Sequence, residues 1–140
     1  MKLLFASDGS ECSHRAVRYL AKSFRKAVKN LHVTLFYVDV PMLDRVADAL
    51  GERRVAEIHR ENTNACLKES RRRLKRCGID FDEASATGNA ALCIARRARE
   101  GKYDLVLMGS HGRTAMKNVL LGSVTARVLA ECDVPVLVVH

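Results

Sequence analysis

The chain has no tryptophan, two prolines, three tyrosines and four phenylalanines. No basic-Gly-aromatic pattern with interleaved stacking rings occurs, so sequence-specific RNA reading has little support. No apolar run approaches the roughly 18 residues of a membrane-spanning helix. The opening MKLLFASDGS lacks the long apolar region and small-residue cleavage site of a signal peptide, so no leader is expected. The five cysteines (Cys12, Cys66, Cys77, Cys93 and Cys132) are odd in number and form no C-x-x-C pair. That argues against a disulfide framework and against a structural zinc site. The thiols read instead as small hydrophobes of a cytoplasmic protein. His14, His32, His59 and His140 show no ligand spacing, so no protein-built metal site is read from them. Internal repeats and low-complexity linkers are also missing.

What is present fits one domain over residues 1–140, with 48% hydrophobic content to build a core. The formal net charge is +8. A basic balance attracts anions: nucleic acid, an anionic membrane or a phosphorylated ligand. The charge concentrates in ESRRRLKRCG, residues 69–78. That run reads as a solvated helix face, or as a site for nucleic acid or an acidic partner acting through Arg71, Arg72, Arg73, Lys75 and Arg76. Nucleic acid is not expected as a partner.

Hydrophobic periodicity sets the element order. KLLFASD (2–8) reads as a buried strand. Ala16, Val17, Leu20, Phe24, Ala27 and Val28 recur at helical spacing, with Ser10 and Ser13 as candidate N-caps. HVTLFYVDV (32–40) is a second strand, left at Pro41. Residues 42–77 are helical in character, but one helix of that length would run about 54 Å, so a break is expected at Gly51. GIDFDEASAT (78–87) is a third strand, 89–100 a helix, and YDLVLMGS (103–110) a central strand. A helix over 123–132 and a strand over 134–140 follow, with Pro135 at the strand start. The β-α alternation predicts an α/β fold: an open parallel sheet with helices on both faces.

Ligands of such sheets bind beyond the carboxyl ends of the strands, where strand order reverses. Asp8 and Gly109 both stand at strand ends. MGSHGRTAMKNVLLGSVTARVL (108–129) carries Gly109, Gly112 and Gly122. It is neither G-x-x-x-x-G-K-[ST] nor G-x-G-x-x-G. Gly109 and Gly112 permit positive φ and close backbone approach. Ser123 reads as an N-cap, leaving the amides of Val124, Thr125 and Ala126 facing outward. Such a helix start favours phosphate, with the Ser123 and Thr125 hydroxyls as added donors. Arg113 and Lys117 are candidates for neutralising phosphate. Loop punctuation is the competing reading of these glycines. Asp8 reads as a ribose or metal-water ligand, or as a turn cap. His111 is a weak candidate acid–base, and Cys12, near a helix start, a candidate reactive thiol.

The whole chain resembles the universal stress protein family. LLFASDGSECSHRAVRYLA is similar to its first strand, Asp-Gly-Ser turn and first helix. LHVTLFYVDVP resembles its second strand, and residues 103–140 resemble its C-terminal signature. Within that signature Gly109, Gly112 and Gly122-Ser123 match the ATP-binding pattern G-x2-G-x9-G-[ST]. The resemblance implies a Rossmann-like five-stranded sheet of order 3-2-1-4-5. It implies that main chain near Tyr37, Val38 and Asp39 meets adenine, and that Ala6, Ser7 and Asp8 line the nucleoside side. Met108, Gly109 and Gly112 would approach ribose and phosphates, and Gly122, Ser123, Val124 and Thr125 would hold the phosphates. It implies ATP as ligand, Mg²⁺ among the phosphates, and a homodimer through the C-terminal strand. The resulting expectation is a cytoplasmic nucleotide-dependent stress-response switch, in which ATP closes the 109–122 loop. It carries no assigned catalytic residue. Slow ATP hydrolysis or phosphotransfer, and a basic-surface module binding nucleic acid or a protein partner, are the alternatives.

Overall fold

The computed structural model describes residues 1–113 and 120–140. Strand β1 (Lys2–Ala6) leads into α1 (Glu11–Tyr19), which continues as a π-helical turn, Leu20–Phe24. The Arg25 amide closes that turn on the Leu20 carbonyl at 3.2 Å, a five-residue step. Then come β2 (His32–Asp39), α2 (Asp44–Leu50), α3 (Glu52–Arg76), β3 (Phe81–Thr87), α4 (Ala90–Glu100), β4 (Leu105–Gly109), α5 (Ser123–Glu131) and β5 (Val136–Val139). The expected break in the 42–77 segment falls at Gly51, with φ 78° and ψ 155°. Side chains avoid that region, so the chain turns there at the one residue that tolerates it.

All strand pairings are parallel, and the sheet order is β3-β2-β1-β4-β5. The alternation of side chains divides the core in two. Leu3, Phe5, Leu35 and Tyr37 pack against Ala16, Val17 and Leu20 of α1 and Leu67 and Leu74 of α3. Leu4, Ala6, Phe36, Val106 and Met108 pack against Ala91, Ile94 and Ala98 of α4 and Val128 of α5. Burying both faces explains why β1 and β4 read as continuous apolar runs. In α3 only Leu67, Ser70 and Leu74 are fully buried, at three- and four-residue steps along one face of the helix. The Ser70 hydroxyl meets the Ser7 hydroxyl at 2.8 Å, which satisfies both inside the core. Among the described residues, no helix is long and apolar enough to cross a membrane.

Candidate functional site

Strands β2 and β4 flank β1 on opposite sides, so the order reverses at the carboxyl end of β1. The β1–β4 register brings Ala6 level with Met108, and the β1–β2 register brings Ala6 level with Phe36. A cleft of about 380 Å³ opens there, a usual size for a small-molecule site. Twelve of the fourteen expected ligand residues line it: Ala6, Ser7, Asp8, Tyr37, Val38, Met108, Gly109, Gly112, Gly122, Ser123, Val124 and Thr125. Asp39 and Arg113 do not. Ser13, Phe36, Ala90, Ile94 and His111 line it as well. The period of two along β2 is the signal for part of this. Phe36 and Val38 face the α4 side, while Tyr37 and Asp39 face α3.

Asp39 is buried against α3. Its carboxylate accepts from His59 Nδ1 at 2.7 Å, Asn62 Nδ2 at 2.9 Å, the Tyr37 hydroxyl at 3.1 Å and the Val40 amide at 3.0 Å. Burial pushes this carboxyl up, but the bonds from His59, Asn62, Tyr37 and Val40 outweigh it and hold it below its ordinary value. Burial, followed by Cys66 and Asp39, pushes the Tyr37 hydroxyl well above the ordinary phenol range. This cluster fastens α3 to the end of β2 and turns the Asp39 side chain away from the cleft. Arg113 donates its backbone amide to Asp8 Oδ2 at 3.1 Å, and its guanidinium lies 3.4 Å from Cys66 Sγ on α3. Its charge is thereby aimed outside the cleft. Lys117 lies outside the described residues.

Asp8 is a turn cap and also faces the cleft. Oδ1 accepts from the Ser10 amide at 3.0 Å and the Ser13 hydroxyl at 2.9 Å; Oδ2 accepts from Arg113. Ser10, not Ser13, caps α1, accepting from the Ser13 amide. Gly9 joins the two at φ 77°, and a Cβ there would stand 2.5 Å from the Cys66 carbonyl oxygen.

The three motif glycines serve close approach. None has positive φ, contrary to one of the two uses expected of Gly109 and Gly112. A Cβ on Gly109 would stand 2.7 Å from Cys12 Cβ and 2.8 Å from both Cys12 C and Ser13 N. One on Gly112 would stand 2.8 Å from Asp8 Oδ2; one on Gly122, 3.3 Å from the His111 Cα and the Ser110 carbonyl oxygen. The glycines let α1, the Asp8 turn and the start of α5 converge on one point.

At α5 the cap is Gly122, one residue earlier than expected, and Ser123 opens the helix. The Ala126 amide is engaged by the Gly122 carbonyl at 2.9 Å. The outward amides are therefore those of Ser123, Val124 and Thr125. The Thr125 hydroxyl is buried and donates to the Gly109 carbonyl at 3.0 Å, so it ties α5 to β4 and is no free donor. Ser123 is exposed at the helix start. The Ser7 hydroxyl is likewise engaged, by Ser70. His111 Nδ1 lies 3.0 Å from the Ser110 hydroxyl, and the two rings of His111 and His140 are 6.0 Å apart. Cys12 is buried beneath Gly109, with the Arg15 guanidinium 2.9 Å from its sulfur.

Of the basic run on α3, Arg71 pairs with Glu83 at 2.7 Å, and Arg72 and Arg73 each reach Glu69 at 2.7 Å. Hydrogen bonds from Arg72, with Arg73 adding, pull the Glu69 carboxyl down to about 2.

The profile of the Universal stress protein family matches residues 1–140. Universal stress protein MJ0531 of Methanocaldococcus jannaschii is 32% identical over 142 aligned positions, spanning 99% of this chain and 81% of that protein. The solved structure of MJ0577 from the same organism superposes with a TM-score of 0.78 at 28% identity, covering 99% of this chain and 94% of the other. A universal stress protein in complex with cAMP superposes with a TM-score of 0.69 at 27% identity, covering 100% of this chain and 96% of the other. With its sheet order, its cleft at the reversal and its glycines converging there, the chain belongs to the universal stress protein family.

Proposed function

We propose that the cleft binds an adenine nucleotide, ATP with Mg²⁺ foremost, and that the protein is a cytoplasmic nucleotide-dependent switch. The observation that carries this reading is the junction of two unlike surfaces. One is an apolar slot made by Ala6, Phe36, Val38, Ala90, Ile94 and Met108. The other is the start of α5, where three amides without a partner among the described residues and the helix dipole meet the cleft. A flat apolar base fits the first and a phosphate the second. The cAMP-bound relative supports the adenine class.

Mg²⁺ fits as a partner of the phosphates. It prefers oxygen ligands and keeps several waters, using one or two carboxylates with substrate phosphates. Among the described residues Asp8 is the one carboxylate lining the cleft, and three donors already hold its two oxygens. It would contribute a single contact, and the ion would offset repulsion between Asp8 and the phosphates. The same three bonds suit Asp8 to positioning rather than to proton abstraction, so turnover is no part of the proposal.

A route from cleft to surface runs through β4. Gly109 is level with Val139, and the Ser110 amide donates to the Val139 carbonyl at 2.8 Å. Nucleotide at Gly109 would bear on β5, whose four apolar residues are all partly exposed at the sheet edge. Edge strands pair readily, and we assign the homodimer contact to β5.

The test is direct. Small molecules are extracted from purified protein and identified by mass spectrometry. ATP, AMP and cAMP are then titrated with and without Mg²⁺, and oligomeric state is followed by sedimentation. ATP binding strengthened by Mg²⁺ supports the proposal. Neither co-purified nucleotide nor measurable ATP binding would remove it.

A further inference from the structure

Between Glu11 and Asp39 the sequence carries six Lys and Arg residues and no acidic side chain. The exposed ones are Arg18, Lys22, Arg25, Lys26 and Lys29, at three- and four-residue steps along α1, its π-turn and the turns that follow. They form a stripe that spans about 12 Å from Arg18 to Lys26 at helical rise. None of the five has an ion-pair partner among the described residues, whereas Arg53, Arg54, Arg71, Arg72, Arg73, Arg99 and Arg127 all do. Part of the positive charge left without an ion pair among the described residues therefore lies outside the basic run that stands out in the sequence.

Two further observations define the surface. A Cβ on Gly78 would stand 3.2 Å from an Arg25 guanidinium nitrogen, so the end of the stripe abuts the turn after α3. That brings in Lys75 and Arg76, both exposed and without an acidic partner among the described residues. Tyr19 is 40% exposed beside Arg18, its ring 6.1 Å from that of Phe24, which packs on the core. An aromatic face is thus held within a row of unpaired cations.

We propose that this face, from Arg18 to Lys29 with Lys75 and Arg76, binds single-stranded nucleic acid, the cations meeting phosphates and Tyr19 stacking on a base. Such a combination of electrostatic track and aromatic platform is sequence-tolerant. A membrane is disfavoured because the apolar side of α1 (Ala16, Val17 and Leu20) is fully buried and has nothing to insert. An acidic protein would use the cations but leave Tyr19 without a role. The face begins a turn or more beyond the cleft end of α1, so the proposal does not depend on nucleotide in the cleft.

The experiment measures anisotropy of a fluorescent mixed-sequence single-stranded DNA oligonucleotide on the full chain, across a salt series. The triple variant Arg18→Gln/Lys22→Gln/Lys26→Gln is expected to bind at least tenfold more weakly at low salt. Its log–log salt slope should fall by about 2, from the ~0.7 per phosphate contact of single strands. Tyr19→Leu should lose about fivefold or more in affinity with the slope unchanged. The ion-paired control Arg71→Gln/Arg72→Gln should bind as the parent does. Thermal unfolding verifies that each variant is folded. Absence of binding by the parent at low salt would overturn the proposal, as would a folded triple variant with unchanged affinity and slope. Equally tight binding of polyglutamate, with Tyr19→Leu indistinguishable from the parent, would overturn it in favour of an acidic protein partner.

Discussion

Replacing the three motif glycines by alanine one at a time should rank them by what their Cβ atoms meet, with no nucleotide present. Gly109→Ala is the severe case. Its Cβ would stand 2.7–2.8 Å from Cys12 Cβ, Cys12 C and Ser13 N, against about 3.5–4.0 Å for an ordinary carbon contact. Two of the three atoms are backbone, so no rotamer change relieves the clash. The start of α1 must retreat from β4 by roughly 1 Å, loosening a closely packed interface. Overpacking of this kind costs about 1–3 kcal/mol. For a chain of this size that lowers Tm by about 3–10 °C. Cys12→Ala should not rescue it, because the backbone contacts remain. Gly112→Ala meets the end of one side chain, Asp8 Oδ2 at 2.8 Å, which can swing at the expense of the Arg113 amide bond. That loss is about 0.5–1.5 kcal/mol. Gly122→Ala, at 3.3 Å, should cost least. Differential scanning fluorimetry of the apo proteins decides the matter. If all three variants melt within about 1 °C of the parent, the glycines serve only a ligand, and the packing argument is wrong.

Val124→Asp should separate stability from binding. A carboxylate in the first turn of α5 favours the helix by about 0.3–1 kcal/mol, yet it repels phosphate from the same amides; a raised Tm with at least tenfold weaker ATP binding by calorimetry is expected. Thr125→Val removes the buried bond to the Gly109 carbonyl and should cost about 1–3 kcal/mol in chemical denaturation. Asp39→Asn should weaken the anchor of α3 by a similar amount, again about 1–3 kcal/mol. The fold holds the Asp39 carboxyl below its ordinary value. Its contribution is therefore complete above the unfolded value near about 4 and is lost as pH falls through the folded one. The stability gap between parent and Asp39→Asn should accordingly be constant near neutrality and shrink below about pH 4 in denaturation series.

The sheet and its order of elements were legible because burial on both faces writes long apolar runs into β1 and β4, and because Gly51 tolerates a backbone that other residues avoid, which marks the break between α2 and α3. Cap positions were less legible. Serine is a good N-cap, and Ser123 was the natural choice; the Gly122 amide instead reaches back to the Ser110 carbonyl at 2.8 Å and sets the helix start one residue earlier. Asp39 shows a different limit. Nothing local says that a strand-end carboxylate will be claimed by His59 and Asn62, 20 and 23 residues away on a helix. Phe36 could have been found from the alternation along β2, two residues before the expected Val38. Ala90 and Ile94 could not, because their place in the cleft depends on how α4 crosses the sheet.

Those same contacts explain why a spacing of glycines can specify a site without contributing a functional side chain. Gly109, Gly112 and Gly122 lie where three backbones converge: the start of α1, the Asp8 turn and the start of α5. A Cβ at the first would separate α1 from β4, and at the second would displace the carboxylate that braces the turn. The third would press on the loop that carries His111. The amides of Ser123, Val124 and Thr125 face the cleft only if that convergence holds. The spacing matters because it returns the chain from the end of β4 to the start of α5 beside the same strand, where the Thr125 hydroxyl can close on the Gly109 carbonyl. In this protein the motif is first a packing rule. Its capacity for phosphate follows from the packing, which is why apo stability and nucleotide affinity should fall together in Gly109→Ala and part company in Val124→Asp.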